Sequence, residues 1–68
     1  MSTDEKRNEI AKLRVQYQRA ERRRIAHMRN LQAASTMEEY RAEVDKWTYW
    51  YKYCMNVQIA IDELEAEL

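Results

Sequence analysis

Sixty-eight residues allow one small domain, and a single core in so short a chain supplies only a few kcal/mol without a staple. One cysteine, Cys54, excludes an internal disulfide, and one histidine, His27, beside it cannot complete a Cys/His zinc site. The net charge is zero and neither glycine nor proline occurs, where average usage would give roughly eight.

Without glycine, tight β-hairpins, phosphate-cradling loops and strained nucleophile turns are disfavoured. Good helix formers (Ala, Glu, Arg, Lys, Leu, Met, Gln) fill most positions, so residues 1–68 are expected to form one all-α domain. The start "MSTDEKRN" is no signal peptide, serine at position 2 excludes N-myristoylation, and no apolar run reaches membrane-spanning length. With a free thiol, this fits a reducing, cytoplasmic setting.

Ser2 followed by Glu5 is a capping-box signal, and it opens a helix expected over about 3–33. Its seam runs Ile10, Leu13, Tyr17, Ala20, Arg24, His27 and Met28, Leu31 and Ala34, in steps of three and four. Arg24 is the polar residue in that seam. It reads either as an arginine snorkelling at the seam edge or as a specificity element in an oligomer core. Away from the seam, "RAERRRIAHMR" sets out Arg19, Arg22 and Arg29, flanked by Lys12 and Arg23, as an exposed basic stripe. Such a stripe suits phosphates or acidic protein surfaces, or is simply a solvated face.

"AASTMEEY" carries the turn. Ser35 with Glu38 and Thr36 with Glu39 each match a capping box that would start a second helix over about 36–67. No glycine marks a C-cap there, so one unbroken helix of roughly 100 Å is the alternative.

The second seam reads Met37, Tyr40, Val44, Trp47, Trp50 and Tyr51, Cys54, Val57, Ile61, Leu64 and Leu68, with a three-residue stammer near Trp47–Trp50 that widens the apolar face. Every ring in the chain is Tyr or Trp, types suited to surfaces buried on one side and wet on the other. Trp47, Trp50 and Tyr51 are expected in the core of the hairpin or of a bundle of hairpins. Tyr49 and Tyr53 point to the far side and, with Arg19, Arg22 and Arg29, are the candidate partner-binding residues.

Folding the chain back at residue 35 pairs Leu31 with Tyr40, Met28 with Val44, Tyr17 with Cys54, Leu13 with Val57 and Ile10 with Ile61. It places Arg24 opposite Trp47 for a cation–π contact. Residues 1–34 hold nine basic and four acidic residues (+5) and residues 35–68 three and eight (−5), so the halves neutralise each other. Pattern, caps and charge agree on an antiparallel two-helix hairpin, which pairs into a dimeric four-helix bundle to gain the missing staple.

Catalysis finds no support. Cys54 and His27 lie far apart in the hairpin, and no Glu-x-x-His pair of a di-iron bundle occurs. The expectation is a non-enzymatic protein without cofactor, metal, membrane or small-molecule substrate. It would act by binding a protein, as a regulator, an inhibitor of the phage-encoded type or a small structural subunit. An RNA- or DNA-binding bundle using the arginine stripe is the alternative. In size and layout the hairpin resembles the Rop-type RNA-binding hairpins that pair into four-helix bundles, although no motif is shared.

Overall fold

The computed structural model describes residues 1–68 as two helices, α1 (Thr3–Gln32) and α2 (Met37–Ala66), joined by a short turn. The single long helix is thereby excluded, and each boundary lies within a residue of the sequence expectation. At the start of α1 the Ser2 Oγ accepts from the Glu5 N–H at 3.2 Å. At the start of α2 the Thr36 Oγ1 accepts from the Glu39 N–H at 3.1 Å. Of the two boxes the turn could have formed, Thr36 with Glu39 wins. Glu39 then reaches back one residue further than usual, its carboxylate accepting from the Ser35 N–H at 2.9 Å.

The turn manages without glycine because no residue adopts a positive φ. Ala33 closes α1 in a right-handed conformation (φ −92°, ψ −1°), and its N–H donates to the Arg29 carbonyl at 3.1 Å. Thr36 then swings to extended backbone (φ −127°, ψ 160°) and reverses the chain.

The helices run antiparallel in the expected register. Ile10, Val57 and Ile61 form the core, backed by Leu13, Tyr17 and Leu64. Lys6 reaches Glu67 at 3.5 Å and Arg14 reaches Glu65 at 2.8 Å. These bridges offset an unfavourable end: the last turn of α2 carries no basic residue of its own to meet the negative pole of the helix. Being exposed, each is worth at most about 1 kcal/mol.

Only five of 68 residues are buried: Ile10, Ala20, Cys54, Val57 and Ile61. Four of them lie in the half of the hairpin remote from the turn, and Ala20 lies just past its midpoint. Near the turn the seam is looser, and two seam expectations fail there. Met37 is 65% exposed because α1 ends at Gln32, short of the residue that would face it. Tyr40, opposite Leu31 in the register, is 43% exposed because its helical angle carries it off the seam toward the Tyr51 side. The molecule is a rod of 51 × 14 × 12 Å between Cα extremes, with a radius of gyration of 15.5 Å. A globular chain of this length would have about 11 Å. Neither helix is long and apolar enough to cross a membrane.

Candidate interaction site

The five rings of 47–53 divide into two groups on opposite flanks of the helix–helix seam, as their 100° steps dictate. On one flank Trp47 stacks on Tyr51, with centroids 5.1 Å apart and planes 17° apart. Tyr51 continues into a shallow groove with Tyr17, Arg24, Cys54, Met55 and Gln58. Tyr51 is 43% and Met55 47% exposed, so Tyr51 is not part of the hairpin's own core. Trp47 is half-buried, yet its Nε1–H is sealed from solvent without an acceptor.

On the other flank Trp50 is the centre. Tyr49 meets it edge-on (5.0 Å, 89°) and Tyr53 is tilted against it (5.5 Å, 60°). The Arg23 guanidinium lies over its ring, 4.8 Å from the centroid. Together with Gln16, Arg19 and Ala20, residues Arg23, Trp50 and Tyr53 line a second groove.

The expected cation–π contact between Arg24 and Trp47 is therefore corrected to Arg23 and Trp50. Arg24 instead stays half-buried beside the Cys54 thiol. Arg23 lies one residue off the seam on the Trp50 side, and its long side chain reaches across to the indole. Of the candidate binding residues, Arg19 and Tyr53 share the second groove and Tyr49 borders it through Trp50. Arg22 and Arg29 are exposed on the back of α1, where they make no ion pair and no side-chain hydrogen bond.

Nearer the turn, a polar clasp escaped the sequence reading. The Nδ1 of His27 lies 2.7 Å from Glu43 Oε2, with the side chains 22% and 18% exposed. The hydrogen bond from His27 holds the Glu43 carboxyl below its usual range against the opposing effect of burial, helped by Lys46 and Asn30. The register places His27 near Val44, one residue away, so the partner is within reach of the pattern. Cys54 is the opposite case: burial pushes its thiol pKa up, despite Arg24 nearby. A buried protonated thiol is a poor nucleophile. No group of three His, Cys, Asp or Glu side chains is placed to hold a metal ion.

No family model, curated protein or solved structure matches the chain. The site's chemistry is that of a helical hairpin whose exposed grooves are lined by Tyr, Trp, Met and Arg. These are the types enriched at protein interfaces.

Proposed function

We propose that this protein works by binding rather than catalysis, as a homodimer of hairpins forming a four-helix bundle that engages a protein partner as a regulator, inhibitor or small structural subunit. The carrying observation is the exposed Tyr51–Met55 flank on a hairpin with only five buried residues. Folded monomers of 8.3 kDa expose about 4,600 Å². The hairpin exposes 5335 Å². By the same scaling a particle of twice the mass exposes about 7,600 Å², so pairing two copies would remove about 3,000 Å² from water, an area typical of obligate homodimers.

The Tyr51 flank is the side that supports pairing. Exposed Ile25 and half-buried Met28 of α1 and Val44 and Trp47 of α2 fall on that side by their helical angles and extend it toward the turn. A second reading, nucleic-acid binding, is favoured by one observation: Arg22 and Arg29 are exposed with no acidic partner. Capture from a lysate with and without nuclease separates the two. Protein-mediated function predicts nuclease-insensitive proteins on the bait. Retained RNA or DNA whose binding falls steeply with salt would establish the second reading instead.

A further inference from the structure

We infer that the groove between Arg19 and Arg23 of α1 and Trp50 and Tyr53 of α2 is a docking site for an acidic amphipathic helix of the partner protein, its carboxylates spaced one turn apart. The inference rests on the binding reading above and assigns the surface and the chemistry of its ligand. In the proposed bundle the Tyr51 flank is consumed by the second copy. The Trp50 flank then faces outward on both hairpins.

Charge selects the ligand. The groove lining holds two arginines and no carboxylate. By helical angle Lys12 extends the same side, as does Lys46, which is paired with Glu43 at 3.6 Å; Glu21 falls toward the other flank, and Glu43 is also engaged by His27. Arg19 and Arg23 are four residues apart, about 6 Å along the axis. Carboxylates at i and i+4 on an opposing helix have the same spacing. Neither arginine forms an ion pair within the hairpin.

Geometry selects protein over nucleic acid. Base stacking needs a free ring face. Here Arg23 lies over Trp50, and Tyr49 and Tyr53 pack against the same ring at steep angles. The same contact that blocks a base restrains a guanidinium whose N–H fork can then meet a carboxylate with two parallel hydrogen bonds. The depression between two antiparallel helices is also where a third helix seats its apolar stripe, here over the open parts of Trp50 and Tyr53. The Tyr53 hydroxyl supplies a polar margin.

The test uses a fluorescein-labelled synthetic amphipathic helix of about 18 residues, with glutamates at i and i+4 beside a leucine stripe, and an oligothymidylate of about 20 nucleotides as the competing probe. Fluorescence anisotropy is read on the full chain at near-physiological salt. The acidic helix should bind more tightly than the oligonucleotide. Arg19→Gln/Arg23→Gln should weaken it at least about tenfold, the loss expected for two charge-assisted contacts. Arg22→Gln/Arg29→Gln removes the same charge from the back of α1 and should change affinity by less than about twofold. Arg19→Lys/Arg23→Lys keeps charge and fold but not the fork, and should lose about threefold. Equal loss in the two Gln pairs, full binding by the Lys pair, no binding of the peptide or tighter binding of the oligonucleotide would each overturn the inference. Sedimentation of the same samples reports self-association independently, so failure of the groove is distinguishable from failure of the dimer.

Discussion

Glu43 is a carboxylate that the folded hairpin draws toward its ionised form. Its pKa is lowered on folding from its ordinary 4.5, first by the His27 hydrogen bond. A depressed folded value means that the ionised form is favoured by the folded state. The stabilisation is present above 4.5 and is lost as the pH falls through the folded value. The melting temperature should therefore drop on acidification, and the gap between wild type and Glu43→Gln should narrow; thermal melts at pH 7 and below pH 4.5 check this. A gap that does not change with pH would assign the loss to packing alone. Ile61 belongs to the same scale. It is 3% exposed at the centre of the core, so Ile61→Ala should cost about 2–5 kcal/mol in urea denaturation. Tyr49, 60% exposed, should cost no more than about 0.5 kcal/mol when cut to alanine.

At the scale of the helices, the caps divide what the sequence could say from what it could not. Both capping boxes at the turn fitted the pattern, since Ser35 and Thr36 each precede a glutamate by three residues. Only backbone geometry chooses: Thr36 is extended and accepts from Glu39, while Ser35 contributes its N–H alone. Thr36→Ala should thus cost about 1 kcal/mol and Ser35→Ala less than about 0.5 kcal/mol in the same denaturation measurement. Equal costs would mean that the cap is shared. Seam and register were legible because steps of three and four fix which face of each helix is apolar, and the Ile10–Ile61 pairing follows directly. The rings were less legible. A helical angle gives the direction of Cα–Cβ, not the reach of a long side chain. Arg23 therefore escaped notice as the partner of Trp50, while Arg24, nearer the seam centre, was matched to Trp47. Met37 fails for another reason, because periodicity continues through the first turn of α2 whereas its covering helix stops at Gln32.

For the whole molecule, the controlling fact is thinness. Two helices side by side make one layer with two open flanks, whereas stable domains pack at least two layers. The Trp47–Tyr51 stack, with Met55 beyond it, lies on one flank with an indole N–H that the single hairpin leaves unpaired. A buried orphan donor of this kind costs about 1–3 kcal/mol and narrows the single hairpin's margin of stability. Tyr51→Glu/Met55→Glu should therefore disrupt pairing by burying two charges, and should lower the melting temperature through loss of association rather than loss of the Ile10–Ile61 core. Sedimentation equilibrium of the wild-type chain from about 1 to 100 μM is the direct measurement, since mass action makes a dimer concentration-dependent where a monomer is not. Pairing predicts a mass approaching twice 8.3 kDa as concentration rises, shifted back toward 8.3 kDa by the double glutamate variant. A folded species that stays at 8.3 kDa across the whole range would contradict it.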